Sequence, residues 1–330
     1  MADHAVRRGG ADWRNAGLAA LGLVTAGGLL RLLDPSTIPA LQNFLLIFGS
    51  LLIEAVPFVV LGAVVSAAIE VFVPEQAFER IAHFPKPLQL PAAGIAGLAF
   101  PVCECGSVPV ARRLAAKGLT PAAAVTFMLS APILNPVVIA STLVAYRGRD
   151  TLWTMVIGRA GLGLACAIAV GWVVSNRTKA ELLKPRPGAE HDHADDGSKM
   201  AAFFSHLGGD FTFMGKYLVF GAAVAGAMQT FVPQSVIGAV AGTPVIDLIA
   251  MMGLAFVLSL CSESDAFVAA SFVQFGVGAQ LAFLVFGPLV DTKLGFLYSG
   301  TFARGFLRTV VLVVGGVTLA GTLWLEVFFG

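Results

Sequence analysis

The sequence predicts an all-α integral membrane protein, an inverted repeat of transmembrane helices with broken or re-entrant helices at the midplane. Three observations lead there: apolar blocks of membrane-spanning length, motifs that recur in both halves, and polar clusters that interrupt those blocks at matching places. Residues AVILMFWYC make up 57% of the 330 and charged residues 12%, where soluble domains carry about 25% charge. Crossing a hydrocarbon layer of about 30 Å takes roughly 20 helical residues. Blocks at 15–33, 41–72, 120–146, 151–174, 212–232, 278–303 and 305–328 are long enough. They do not alternate in polarity, which excludes a β-barrel. A net charge of +1 supplies no field for nucleic acid.

The chain divides into four parts. Residues 1–40 hold an extra N-terminal helix, whose basic start leads into an apolar stretch without a clear small-residue cleavage site. Residues 41–174 form a first repeat and 212–330 a second. Between them, 175–211 is a polar cytoplasmic linker containing RTKAELLKPRPGAEHDHADDGSK. Segment 74–90 reads as a short amphipathic helix at the interface.

The repeat rests on four anchors in one order at nearly constant spacing. GAVVSAAIEVFVPEQ at 62–76 matches GAAVAGAMQTFVPQS at 221–235, and GLAF recurs at 97–100 and 253–256. PILN at 132–135 matches PLVD at 288–291, and Arg147-Gly148 matches Arg304-Gly305. Under this alignment Cys103-Glu104-Cys105-Gly106-Ser107 faces Cys261-Ser262-Glu263-Ser264-Asp265. If 91–111 dips into the membrane and returns, Arg112, Arg113, Lys117 and the linker cations join the N-terminal arginines on the cytoplasmic side. The positive-inside rule favours that topology, and it leaves each half with an odd number of crossings, hence mutually inverted. Inverted halves place the transport site where discontinuous helices meet.

Carboxylates inside membrane segments are costly and usually line a path. The two clusters are therefore the candidate substrate-binding and translocation residues. Asn135 and Asp291 add to them at equivalent positions in the helix after each hairpin, beside Pro132, Pro136 and Pro288, where proline breaks the hydrogen-bond ladder. Lys293 stands two residues beyond Asp291. Glu54, Glu104, Glu263 and Asp291 are candidates for proton coupling. Arg159 reads as a partner for one of these acids, and Cys166 as a packing residue. GDFTFMGK at 209–216 has the outline of a phosphate loop but the wrong spacing, with Tyr217 where Ser or Thr is required. No ATPase of the chain's own is expected, nor any enzyme activity, cofactor or resident metal. HDHADD at 191–196 reads as solvated linker.

The run AFPVCECGSVPVARRL, followed by SAPILNPVVIAST, resembles the signature of the predicted permease family that includes bacterial efflux permeases for trivalent organoarsenicals. The resemblance runs from about residue 41 to the end. By position its motif residues are Pro101, Cys103, Glu104, Cys105, Gly106, Ser107 and Pro109, then Pro132, Asn135 and Pro136. It implies a multi-pass permease of the cytoplasmic (inner) membrane that exports small molecules.

Thiolates favour soft, thiophilic centres, so Cys103, Cys105 and Cys261 are candidates to share a metalloid. A C-x-C pair on a regular helix diverges by about 200°, so convergence requires local unwinding. The alternative is that the cysteines only pack and the acids do the work. The first functional expectation is secondary transport of a small thiophilic solute, such as a trivalent organoarsenical, by alternating access. The alternatives are a permease for a metal ion, oxyanion or sulfur compound, and a membrane thiol-redox protein. Expected partners are the small-molecule or metalloid substrate and the lipid bilayer, with room for a homo-oligomer and none for nucleic acid.

Overall fold

The computed structural model describes residues 38–74, 85–99, 102–184, 199–231 and 244–329. The expected helix at 15–33, the motif residue Pro101, most of segment 74–90 and the HDHADD run lie outside them. The described residues are helical, with one isolated β-bridge between Leu183 and Phe302.

Apart from a one-turn helix at Lys179–Leu182, the α-helices, in chain order, are α1 (Pro39–Phe72), α2 (Lys86–Ala96), α3 (Glu104–Ala116), α4 (Pro121–Leu134), α5 (Pro136–Ala145) and α6 (Leu152–Val174), then α7 (Lys199–Phe231), α8 (Pro244–Leu258), α9 (Asp265–Ser271), α10 (Val277–Phe286), α11 (Thr292–Thr301) and α12 (Phe306–Phe329). The same order thus occurs twice: a long helix, a helix pair split at the polar cluster, a second split pair, and a long helix. Among the described residues five stretches are long and apolar enough to cross a membrane: 39–72, 121–145, 152–174, 199–231 and 306–327. The chain is a multi-pass membrane protein. Two sequence expectations shift. Helix α7 begins at Lys199, so residues 199–211, assigned to the linker, are helical. Residues 86–90 belong to α2 rather than to an interfacial helix.

Helices α2 and α3 form a hairpin that enters and returns. At its outer end Thr120, at the start of α4, donates to Gln89 of α2 at 2.9 Å, and the amide of Leu119 donates to Leu114 O of α3. At its inner end Gly97 abuts Ala131, near the end of α4. The second hairpin repeats this on α10. Ala255 of α8 abuts Gly287, while α9 leads back to Phe272 and Phe275, whose carbonyls accept from Gln280 near the start of α10.

The split helices α4–α5 and α10–α11 run in opposite directions. Tyr146, just beyond α5, donates to Gln280 at 2.9 Å, whereas Phe302, at the end of α11, lines the same hollow as Pro121 at the start of α4. Relative to these split helices the two hairpins point in opposite directions, and their tips meet in the interior.

Each split has a local cause. Pro136 has no amide hydrogen and disfavours helical geometry at Asn135, which caps α5 by accepting from the amide of Val137 at 2.9 Å. Asp291, its counterpart, caps α11 by accepting from the amide of Leu294 at 2.6 Å. Both are the Asx caps that helix starts prefer. After α8 the chain turns through Ser259, which holds φ at +50°, a left-handed conformation uncommon outside glycine.

Close helix packing brings the first hairpin against α1. A Cβ at Gly62 would lie 2.3 Å from the Cα of Gly106 on α3, so the two backbones touch, as small residues allow in membrane helices. Gly221, the sequence counterpart of Gly62, similarly admits Lys293: a Cβ there would lie 2.9 Å from its Cα.

Candidate functional site

The hairpin tips bring the two sequence clusters into one buried centre. Helix α3 begins at Glu104 with Cys103 as its N-cap, and Ser107 closes the first turn by donating to Glu104 O at 2.9 Å. On the second tip Cys261 O accepts from the amides of Ser264 and Asp265, both at 3.0 Å, which turns the chain into α9. Ser262 then donates its one hydroxyl proton to Glu104 Oε2 at 2.9 Å, and the same Oγ stands 3.4 Å from Glu263 Oε2. One hydroxyl bridges acids from both halves.

The thiols are arranged around this bridge. Cys103 neighbours Cys105 on its own hairpin and Cys261 on the other. All are free thiols and all are buried. The irregular backbone before Glu104 is what lets a C-x-C pair converge. A small apolar hollow, lined by Val59, Cys105, Met214, Leu218, Lys293 and Leu297, opens beside Cys105.

Lys293 reaches into the centre from α11, its Nζ 4.0 Å from Glu104 Oε1 and 3.8 Å from Asp291 Oδ2. All three side chains are at most 2% exposed. The lysine backbone is pinned as well, its amide donating to Ser259 Oγ at 3.2 Å. Glu104 and Asp291 both sit at helix N-termini, where the helix dipole favours negative charge. Even so, Glu104, Glu263 and Asp291 bring three carboxylates against one ammonium. A buried excess of charge is costly unless neutralised.

Asp265, on the same tip, pairs with a cation of the first half. Arg159 of α6 reaches across to donate to Asp265 Oδ2 at 2.8 Å, to Ser262 O at 3.0 Å and to Thr142 Oγ1 at 2.9 Å. The arginine is 2% exposed. Each hairpin tip is thus held by a cation from the opposite half, Asp265 by Arg159 and Glu104 by Lys293. Glu54, half-buried on α1, accepts from Ser264 Oγ at 2.7 Å and joins the rim of the centre. Pro132 lies inside α4 and Pro136 opens α5. With Asn135, whose Nδ2 has no hydrogen-bond partner among the described residues, they shape the split.

A second polar network lies at the outer end of the first hairpin, where sequence reading had placed no function. Arg113 pairs with Glu70 at 3.4 Å and Asp210 at 3.5 Å, and Ser66 donates to Asp210 at 2.7 Å. Lys117 donates to the carbonyls of Glu70 and Val73 at 2.6 and 2.8 Å. The GDFTFMGK run lies inside α7, so it forms no loop that could cradle a phosphate.

Comparison with known proteins agrees with this architecture. The family model ArsP_1, described as a predicted permease, matches residues 40–326. YcgR, a UPF0718 protein of Bacillus subtilis (strain 168), is 42% identical over 283 residues, covering 84% of this chain and 95% of that protein. A putative two-component membrane permease complex subunit of Streptococcus mutans serotype c is 34% identical over 272 residues, covering 81% of this chain and 89% of that protein. No solved structure matches the chain.

Proposed function

The chain belongs to the predicted permease family ArsP_1, and from that premise we propose that it is a secondary-transport permease expelling a small thiophilic solute, such as a trivalent organoarsenical, across the cytoplasmic membrane. It is a transporter rather than an enzyme. The observation that carries the reading is the Ser262 to Glu104 hydrogen bond, because it joins the two hairpin tips at the place where three thiols converge.

The opposed directions of the split helices support an inverted repeat, and with it alternating access by rocking one half against the other. In this mechanism a trivalent arsenical with one organic substituent and two hydroxides binds by exchange: two of the three thiols each form a bond to arsenic, and each hydroxide displaced leaves as water with the proton of the thiol that replaces it. Proton uptake at Glu104, Glu263 or Asp291 lowers the charge of the centre as it changes its exposure. Arg159 and Lys293, each holding the opposite tip, tie that charge to the relative position of the halves. The name of the Streptococcus relative, a complex subunit, supports a further subunit beside this chain.

Uptake of a labelled trivalent methylarsenical by everted membrane vesicles tests the reading. Gradient-dependent accumulation that disappears in Cys103→Ser/Cys105→Ser is the expected result. No accumulation by folded wild-type protein removes the arsenical as substrate.

A further inference from the structure

The centre contains a set of donors that its thiols alone do not explain. Glu104, Cys261 and Glu263 each place one carboxylate oxygen or sulfur so that the three atoms lie within 4.8 Å of one another. We propose that these three side chains form a binding site for a thiophilic divalent cation of the zinc or cadmium type, built from both hairpin tips. The proposal rests on the permease reading only for the route such an ion would follow.

Two further observations point to a ligand. Glu104 is 1% exposed, and its Oε1 has no hydrogen-bond partner among the described residues; nor does Glu263 Oε1. Ser262 Oγ occupies one oxygen of each acid and leaves the other free of hydrogen bonds. The cation already present, Lys293 Nζ, stands 4.0 Å from Glu104 Oε1, too far for a hydrogen bond, and it also serves Asp291.

The donor chemistry selects the class of ion. Zinc takes sulfur at about 2.3 Å and carboxylate oxygen at about 2.0–2.2 Å, so donors on one tetrahedral ion lie roughly 3.5 Å apart. Closing the triangle onto an ion requires a contraction of about 1 Å, within the reach of side-chain rotation at two abutting tips. Calcium and magnesium demand six or more oxygens, which one sulfur and two acids do not supply. On binding, the Cys261 thiol gives up its proton, as metal capture by a thiol requires, and the ion replaces Lys293 as the countercharge to Glu104. Lys293 then remains with Asp291.

Cadmium titration of the purified full-length protein in detergent tests the proposal, with the ultraviolet thiolate-to-cadmium band as readout and calorimetry for stoichiometry. One ion per chain is expected, with the band lost in Cys261→Ser and retained in Cys103→Ser/Cys105→Ser. Glu263→Gln, at a half-buried position, is expected to raise Kd at least about tenfold, and Glu104→Gln to do the same if it folds. A band that survives Cys261→Ser, or an affinity unmoved by Glu263→Gln in folded protein, overturns the site. Cadmium binding is read without transport, so its failure leaves the permease reading standing. Absence of arsenical uptake by the folded wild-type protein, with the band intact, strikes the permease reading alone.

Discussion

Glu104 on the first hairpin accepts a 2.9 Å hydrogen bond from Ser262 on the second. Ser262 is fully buried, so this bond has no water to replace it. Ser262→Ala takes a donor from Glu104 and is expected to destabilise the protein by about 1–3 kcal/mol. Thermal unfolding in detergent measures this, and a midpoint equal to that of the wild type would show that the tips are held by other contacts.

Lys293 serves two buried acids at once. Lys293→Met leaves Glu104 and Asp291 without their shared ammonium, and removing one partner of a buried pair costs about 3–5 kcal/mol. The double variant Lys293→Met/Asp291→Asn removes one of the stranded charges with the lysine and is expected to be more stable than Lys293→Met alone. Equal stability of the two would mean that Asp291 and Lys293 are not coupled.

Arg159 bridges α6 to the second hairpin tip. Arg159→Met strands Asp265, and Asp265→Asn strands Arg159, so each single change is expected to cost more than half of what the double change costs. This non-additivity is the signature of direct contact. Additive losses in a double-mutant cycle, read by chemical denaturation, would contradict the 2.8 Å pair.

The backbone contact between α1 and α3 leaves no room for a methyl group at Gly62, where a Cβ would lie 2.3 Å from a backbone carbon. No rotamer change relieves such a clash. Gly62→Ala is expected to displace the first hairpin and lower transport at least about tenfold or abolish folded yield, whereas Gly49→Ala, with nothing within 4 Å, leaves both unchanged. Normal transport in Gly62→Ala, measured in vesicles, would mean that α1 is mobile against the hairpin.

Much of this arrangement was legible in the sequence because bilayer thickness sets block length and proline marks the splits. The expected spans 41–72, 151–174 and 305–328 coincide with α1, α6 and α12 to within a few residues. The span 278–303 is instead two ten-residue helices separated by 287–291, which hydropathy averages over because Asp291 is the one charged residue in that gap. Repeat alignment brought Cys103–Ser107 and Cys261–Asp265 together, but it did not say which acids meet. It grouped Asp265 with Glu104 and Glu263 but did not single out Asp265 as the acid that Arg159 pairs with. That pairing depends on α6 crossing the second hairpin, a long-range contact with no local signal. The donor triangle of Glu104, Cys261 and Glu263 escaped notice for the same reason, since its members come from opposite halves. The Gly62 to Gly106 contact leaves only a weak trace, a small residue in each of two otherwise unrelated segments.

The central claim is that one transport centre is built from both hairpin tips. The measurement that tests it most directly is uptake of labelled trivalent methylarsenical by everted vesicles carrying Glu104→Gln or Cys261→Ser, each checked for folded protein. Accumulation lost in both variants is the expected result, because each removes one tip's contribution to a shared site. Full accumulation in either variant, with the wild type active, would contradict a centre that requires both halves.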